Sequence, residues 1–277
     1  MIILIEEAGR KLVSFCNKRK TDRMISLKNG IDKPGLEEFF SKNAIDKKDC
    51  VWIVTDRSQV KTADEVHVAA AGQMDMGTQY AFESLKEVDA QYLDKIRMRY
   101  NGIPWVIGYT KRCMIRELSL SDIPALYDLY EKPGITDFVE PLYDLEKETE
   151  YQKNYIKYVY GYFEYGMWLV FDRTDGKLIG RAGLDNREYD GKSELELGYI
   201  IAPEYQGRGY AAEVCDFIIG YAWKNTGYDS ISCFIEPANT KSRRLAERLG
   251  FTNSANVIIG GNYMERWQIF KIGRAHV

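Results

Sequence analysis

Histidine is scarce in this sequence, since its 277 residues include only two. One of them, His276, lies in the last seven residues, 271–277, which match the translation of a common sequencing adaptor and which we expect to be non-native. His67 is then the one histidine that remains. The sequence therefore has too few histidines for a zinc site with histidine ligands, and almost none for a Ser-His-Asp triad. We expect no metal.

Cysteine is also sparse, and its positions show no functional spacing. The five cysteines are odd in number and scattered, without the paired spacing of a metal site. We expect reduced thiols that mostly serve as buried packing residues, which favours a cytoplasmic protein. They are Cys16, Cys50, Cys113, Cys215 and Cys233.

The sequence lacks both a strong excess of one charge and a long apolar run. A net charge of −3 gives no overall attraction to nucleic acid or to an anionic membrane. No apolar run approaches the length of a membrane span. The apolar opening Met1–Ile5 ends at Glu6 and has no basic region before it, which indicates a buried strand rather than a signal peptide. We expect neither nucleic acid nor membrane as a partner, and both a monomer and a homodimer remain open.

Length and composition predict an ordinary globular protein with two domains. The chain is 45% hydrophobic and 29% charged, and its length exceeds that of a typical single domain. The run Asn101-Gly102-Ile103-Pro104 breaks a helical pattern just before a new strand. We therefore place a small domain at 1–108 and a second domain at 109–270.

Short apolar strands alternate with helical patterns in the first domain, which predicts a parallel, Rossmann-like α/β sheet. The predicted strands are Ile2–Ile5, Val51–Thr55 and Val66–Ala70, and the predicted helices are Gly9–Lys18, Gly35–Asn43 and Asp89–Tyr100.

The end of the second predicted strand, Thr55-Asp56, lies where α/β sheets usually bind ligands. The pattern is similar to that of haloacid-dehalogenase-like units, which would imply a phosphatase, but their second aspartate is absent because Arg57 and Ser58 follow. We favour a helix-capping or turn role for Thr55 and Asp56 over catalysis.

The second domain reads as a longer alternation of strands and helices, with hairpins at Asp175-Gly176 and at Gly260-Gly261-Asn262. The predicted strands are Cys113–Glu117, Trp168–Asp172, Lys177–Leu184, Glu194–Ile201, Ser230–Glu236, Asn256–Ile259 and Met264–Phe270. The predicted helices are one opened by Ser121 and Asp122, then Glu146–Tyr162, Ala211–Trp223 and Thr240–Leu249.

A glycine-containing loop joins the strand that ends at Ile201 to the helix that begins at Ala211. Its glycines, Gly207 and Gly209, let backbone N–H groups approach a phosphate, and the first helical turn adds unpaired donors and a partial positive charge. Arg208 can add a charge-assisted hydrogen bond. The pattern predicts a phosphate site; the alternative is a tight turn that needs glycine only for its dihedral angles.

Three motifs follow one another in this half of the chain: Glu196-Leu197-Gly198-Tyr199, then Gln206-Gly207-Arg208-Gly209-Tyr210-Ala211, then Glu236-Pro237-Ala238-Asn239 with Ser242 and Leu249-Gly250-Phe251. By these motifs the chain resembles, over about 111–270, the GNAT acetyltransferase superfamily and its branch of ribosomal-protein alanine N-acetyltransferases. The resemblance implies acetyl-CoA as co-substrate. It also implies a mixed, splayed central sheet flanked by helices, which makes the whole chain α/β (α+β).

The resemblance also implies the residues that bind the co-substrate. In the family the loop holds the pyrophosphate, and the preceding strand splays so that pantetheine pairs with its backbone. An N–H of that strand, here of Ile200 or Ile201, would stabilise the tetrahedral intermediate. The residues implied are Tyr199, Ile200, Ile201, Gln206, Gly207, Arg208, Gly209, Tyr210, Ala211, Asn239 and Ser242.

Acetyl transfer to an amine requires a group that accepts a proton. Glu196 lies where the family often keeps its base, on one strand face with Glu194 and Gly198, and the alternative is a solvated charge. Many relatives protonate the leaving thiolate with a tyrosine, but the helix after Asn239 has none. We predict that Ser242 takes the place of this tyrosine. The alternative is that its hydroxyl only satisfies backbone N–H groups at the start of the helix.

Aromatic residues crowd the predicted acceptor side: Tyr143, Tyr151, Tyr155, Tyr158, Tyr160, Tyr162, Phe163, Tyr165 and Trp168. Their helical spacing favours one packed face over a substrate cage. Acidic residues there would suit a cationic amine. The predicted acceptor residues are Glu140, Tyr143, Trp168 and Glu265, with Asp144 beside them.

The sequence therefore predicts an N-acetyltransferase that moves acetyl from acetyl-CoA directly to a primary amine. No cysteine lies in a motif that would mark an acyl-carrying nucleophile. The acceptor stays open among a protein N-terminus, a ribosomal protein, a polyamine and an antibiotic, and the first domain is expected to select or dock it. The alternative is a non-catalytic CoA-binding or interaction module led by the first domain.

Overall fold

The computed structural model describes residues 1–6, 23–84 and 88–271. The chain divides into two compact units, Met1–Trp105 and Val106–Val277. The predicted helix Gly9–Lys18, together with Cys16, lies outside the described residues.

The first unit is a parallel sheet of five strands with the order β2-β1-β3-β4-β5, which confirms the predicted parallel α/β architecture. Ile3 and Ile5 pack in one apolar cluster and Leu4 in another, so that β1 is buried on both faces. Its elements are β1 (Ile2–Glu6), β2 (Arg23–Leu27), α1 (Lys33–Asn43), β3 (Cys50–Ile53), α2 (Arg57–Val66), β4 (Ala69–Gln73), β5 (Tyr80–Phe82) and α3 (Ala90–Tyr100).

The predicted strand Val66–Ala70 is partly wrong, because Val66 ends α2 and the strand begins only at Ala69. His67 closes the helix in the left-handed conformation, with φ of 57°. Asp56 is the N-cap of α2 and accepts the Ser58 N–H at 2.8 Å, which confirms the predicted capping role.

The second unit is built on a mixed sheet of eight strands with the order β12-β13-β11-β10-β9-β8-β7-β6. Among the described strand pairs of this sheet, only β10–β11 is parallel. Its strands are β6 (Val106–Tyr109), β7 (Cys113–Arg116), β8 (Met167–Asp172), β9 (Leu178–Tyr189), β10 (Lys192–Ile201), β11 (Ser230–Ile235), β12 (Thr252–Ile259) and β13 (Asn262–Phe270). Its helices are α4 (Ile123–Tyr130), α5 (Leu145–Asn154), α6 (Gly161–Phe163), α7 (Tyr210–Asn225) and α8 (Thr240–Arg248).

The predicted helix Glu146–Tyr162 is interrupted by a π-helical segment, Tyr155–Tyr160, between α5 and α6. Both end residues of this segment bind the first residue of β8, because the Met167 N–H donates to Tyr155 Oη at 2.8 Å and Tyr160 Oη donates to the Met167 carbonyl at 2.6 Å. The π-helical segment thus brings two phenols to the backbone of one residue. These two tyrosines therefore have a packing and hydrogen-bonding role.

The strand β10 presents two different faces. Leu195, Leu197 and Ile201 are buried in the main core, which they share with Val214 and Ile218 of α7. We call this side of the sheet the α7 face. Alternation turns Glu194, Glu196, Gly198 and Ile200 to the opposite face.

The described cysteines are buried packing residues without disulfides, as predicted: Cys50, Cys113, Cys215 and Cys233. Burial raises the pKa of the Cys113 thiol to about 11 and that of the Cys50 thiol to about 12. None of the described helices combines the length and the apolar character that crossing a membrane requires.

Candidate functional site

Strands β10 and β11 form a fork. β10 pairs with β9 along its whole length, from Lys192 to Ile201, but it pairs with β11 only at Glu196, opposite Ser232. Beyond that pair no further β10–β11 pair forms among the described residues, so residues 197–201 of β10 and residues 233–235 of β11 are not paired with each other. The fork therefore leaves one edge of β10 available to a ligand.

The ladder determines which backbone groups face the fork. Alternate residues of an antiparallel strand turn their N–H and C=O to the same neighbour. The Ala202 N–H bonds to the Ile179 carbonyl at 2.8 Å, so the backbone of Ile200 also turns to β9. The backbones of Tyr199 and Ile201 then turn to the fork. Of the two predicted N–H donors, Ile201 is the one placed to reach a ligand there.

The loop after β10 has the conformation that its glycines predict. Gly207 has φ of +68° and Gly209 has φ of +80°, which is a left-handed backbone that other residues adopt only with strain. Gly209 is the N-cap of α7, and the Glu213 N–H bonds back to its carbonyl at 3.2 Å. The N–H groups of Tyr210 and Ala211 precede that bond, so they have no acceptor within the helix.

Arg112 and Glu213 support this loop, and sequence analysis missed both. The Glu213 carboxylate accepts from Thr110 Oγ1 at 2.6 Å, from the Arg112 N–H at 2.7 Å and from Arg112 Nε at 2.6 Å. Arg112 Nη1 in turn donates to the Arg208 carbonyl at 2.9 Å. A carboxylate in the first turn of α7 was visible in the sequence, but its partners are about a hundred residues away and give no local signal.

The pKa of Glu213 is lowered, because burial would raise it but the hydrogen bonds from Thr110 and Arg112 outweigh burial. A carboxylate with a lowered pKa stabilises the fold above its unfolded pKa of about 4.3, and this contribution is lost as the pH falls through the folded value.

We expect Glu213→Gln to lower the free energy of unfolding by about 1–2 kcal/mol at neutral pH. The difference from wild type should shrink toward zero in acid, where the wild-type carboxyl is also uncharged. Urea unfolding at about pH 7 and at about pH 3 measures this dependence. An equal loss at both pH values would show that the charge of Glu213 does not stabilise the loop.

Two arginines lie against the ring of Tyr210, the first residue of α7. The guanidinium of Arg112 lies 3.9 Å from the ring centroid and that of Arg208 lies 5.6 Å from it. Tyr210 Oη donates to Asp172 Oδ2 at 3.2 Å. Tyr210 is thus fixed at both ends, which holds the start of α7 in place.

The start of α8 lies beside the loop and the end of β10. Gln206 Nε2 donates to the Ile201 carbonyl at 2.9 Å, and Lys241 Nζ donates to Gln206 Oε1 at 2.9 Å. Tyr199 Oη donates to the Ser242 carbonyl at 3.4 Å. The structure thus brings together the predicted co-substrate residues of all three motifs.

Asn239, not Ser242, caps α8. The Asn239 side chain accepts the Ser242 N–H at 3.1 Å, which satisfies the helix start. The Ser242 hydroxyl is therefore not needed as the cap and stays a candidate for chemistry.

Glu196 lies on the face opposite α7, with Asp185 directly across on β9. Its carboxylate accepts a short hydrogen bond from Arg187 Nε. Burial raises the pKa of Glu196 above its usual range, and Arg187 opposes that rise. Sequence analysis missed Asp185 and Arg187, although a turn at Asp190-Gly191 fixes a register that brings Asp185 opposite Glu196.

The predicted acceptor residues do not form one cluster. Tyr143 is exposed and packs edge-on against Tyr151, at 5.8 Å between ring centroids. Glu140 is exposed as well. Trp168, by contrast, is fully buried on the α7 face against Tyr221, with 5.0 Å between ring centroids. Its burial assigns Trp168 to the core rather than to an acceptor pocket.

Glu265 is buried beside α8, where its carboxylate forms an ion pair with Arg243, with 2.9 Å between Oε2 and Nε, and accepts a hydrogen bond from Trp267 Nε1 at 3.0 Å. Asp144 is the N-cap of α5 and accepts the Lys147 N–H at 3.0 Å. Both acidic groups therefore have structural partners, and sequence pattern alone did not show on which side of the sheet each one lies.

A fork in a mixed sheet, followed by a glycine loop and a helix N-terminus, is the architecture that the resemblance implied for an acyltransferase. The family model of the acetyltransferase (GNAT) domain matches residues 112–252, which is about half of the chain. The chain therefore belongs to the GNAT acetyltransferase family, and it is an acyltransferase.

Curated relatives carry the same domain. The chain is 26% identical over 141 residues to the uncharacterized N-acetyltransferase YnaD of Bacillus subtilis, covering 51% of this chain and 79% of that protein. It is 26% identical over 157 residues to the spermidine N(1)-acetyltransferase of Vibrio cholerae, covering 54% of this chain and 87% of that protein.

A solved structure shows the same fold. The ribosomal-protein-S5-alanine acetyltransferase of Vibrio fischeri superposes with a TM-score of 0.50 at 18% identity, covering 60% of this chain and 97% of that chain. The similarity covers the second unit and leaves the first unit without an assigned role.

Proposed function

We propose that the second unit transfers the acetyl group of acetyl-CoA directly to a primary amine of a protein N-terminus or a small molecule. The observation that supports this most strongly is the fork between β10 and β11, which opens onto the glycine loop and the first turn of α7. The diphosphate is assigned to backbone N–H groups within residues 207–211, because the Gln206 N–H already bonds to the Pro203 carbonyl at 3.1 Å, and the pantetheine is assigned to the fork.

The local conformation suits such an anion. Left-handed backbone, as at Gly207 and Gly209, is a component of the N–H concavities that bind anions, and a side chain at Gly207 would find open space rather than a neighbour. The unbonded N–H groups of Tyr210 and Ala211 add the positive end of a sixteen-residue helix. In this proposal the Ile201 N–H faces the thioester carbonyl and stabilises the charge that develops on its oxygen.

Glu196 is the proposed proton acceptor. An acceptor amine is mostly protonated at neutral pH, so a base must take a proton for the nitrogen to attack. Burial raises the pKa of Glu196, which makes it a stronger base than an exposed glutamate, and the hydrogen bond and charge of Arg187 oppose that rise. The proposal gives Ser242, at the start of α8, the role of hydrogen-bond donor to the departing thiolate.

The test combines binding with turnover on the full chain. We expect calorimetry to detect coenzyme A binding, and we expect thiol release from acetyl-CoA to require an added amine. The amine panel contains free amino acids, their amides, N-terminal peptides and spermidine. Binding without turnover on any amine would refute the enzymatic proposal and favour a CoA-binding module instead.

A further inference from the structure

Arg181 is a buried cation without an anionic partner. It lies on β9, opposite Ile200, on the face of the sheet turned away from α7. Its residue exposure is only 8%. Its Nε has no hydrogen-bond partner, and its Nη1 makes one long contact of 3.4 Å to Tyr130 Oη. None of the ion pairs found in the described part of the chain includes Arg181.

Such an arrangement is costly unless a ligand completes it. An arginine cannot lose its proton in a protein, so the desolvation cost of its charge remains in the folded state. The ring of Tyr155, with its centroid 6.0 Å from the guanidinium, compensates only in part. A planar guanidinium can donate two parallel hydrogen bonds to one carboxylate.

Opposite charge lies farther along the same face. Asp185 follows on β9, keeps solvent contact and accepts a hydrogen bond from the Asn186 N–H at 2.8 Å. It pairs across the strands with Glu196, the proposed base. The face therefore presents a buried cation at one position and two carboxylates at another.

Two tyrosine rings connect these positions. Tyr151 and Tyr155 lie 5.9 Å apart between ring centroids. Burial raises the pKa of both phenols, and the charges of Arg181 and Asp185 act on both. Both charges are therefore close to the same pair of rings.

We propose that the acceptor is a zwitterion of the α-amino acid kind, with its carboxylate on Arg181 and its amine beside Asp185 and Glu196. This inference rests on the proposed acetyl transfer. The ammonium group first gives one proton to Glu196, which passes it to solvent. The neutral nitrogen then attacks the thioester carbonyl, an N–C bond forms as the C–S bond breaks, the second amine proton passes to Glu196, and coenzyme A leaves as a thiolate.

The first test compares free amino acids with their amides on the wild-type chain, by thiol release from acetyl-CoA. We expect kcat/KM to be higher for the free acid by about 10-fold or more, because the amide leaves Arg181 unpaired. The amine of the amide is the less basic one, so amine reactivity alone would favour the amide. Equal or faster turnover of the amide, or of spermidine, would overturn the inference.

The second test uses Arg181→Met, which keeps an unbranched side chain without the charge, and Arg181→Lys, which keeps the charge without the planar guanidinium. We expect the acid-to-amide ratio to fall toward one in Arg181→Met, because kcat/KM for the free acid falls more than kcat/KM for the amide, and to be intermediate in Arg181→Lys. An unchanged ratio in Arg181→Met would contradict the assignment. If neither variant folds, the wild-type ratio decides alone.

The two proposals fail differently. Turnover of amines that lack a carboxylate, without preference for those that carry one, refutes only the zwitterion. Absence of turnover with every amine refutes acetyl transfer, and the zwitterion with it.

Discussion

Replacing Glu196 by glutamine is expected to lower kcat/KM for acetyl transfer by about 10²- to 10⁴-fold, the range of general-base catalysis. The glutamine keeps the size of the side chain and a hydrogen-bond acceptor for Arg187, but it cannot take a proton. Coenzyme A affinity should not change, because the carboxylate lies on the sheet face away from α7 and ten or more residues before the loop glycines in the chain. Steady-state thiol release and calorimetry measure the two quantities separately.

The pH profile adds a second readout. Since burial raises the pKa of Glu196, the ionised base appears only above the ordinary range of a glutamate, and wild-type kcat/KM should fall as the pH drops through that raised pKa. Glu188→Gln is the matched control, since Glu188 is exposed on the same hairpin. Comparable losses in the two variants would remove Glu196 from the reaction.

Gly207→Val is expected to lower coenzyme A affinity by about 10-fold or more, a loss of at least about 1.4 kcal/mol of binding free energy. The φ of +68° is strained for any side chain and most of all for a β-branched one, so the loop should relax and turn its N–H groups away from the diphosphate. Calorimetric titration with coenzyme A measures the effect.

Gly260→Val controls for the strain itself. Gly260 has φ of +57° in the turn between β12 and β13, and like Gly207 it has open space where a Cβ would be added. Both substitutions should destabilise the fold by about 1–2 kcal/mol, but only Gly207→Val should weaken binding. Equal affinities in the two variants would mean that the loop backbone does not bind the diphosphate.

Local patterns predicted the part of the site that depends on local conformation. The spacing of Gly207 and Gly209 before an apolar helical pattern specifies a left-handed loop and a helix start, and both are present. The family resemblance supplied the fork, which a single sequence cannot show, because it depends on how two strands separated by a helix diverge.

The groups that support the site could not be predicted, because they depend on tertiary contacts. Arg112 and Glu213 meet across about a hundred residues of chain. The ion pair of Arg187 with Glu196 follows from the hairpin register, but burial, which raises the pKa of Glu196, is a property of the assembled sheet. Trp168 was wrongly predicted to bind the acceptor. Its position in the sequence does not show which face of the sheet its side chain occupies.

The most direct measurement of the central claim is a crystal structure of the full chain with coenzyme A. We predict that diphosphate oxygens lie about 3 Å from the backbone nitrogens of Gly207, Gly209 and Ala211, with the pantetheine in the fork beside Ile201. Coenzyme A bound elsewhere, or a diphosphate held by side chains with those N–H groups turned away, would contradict the account.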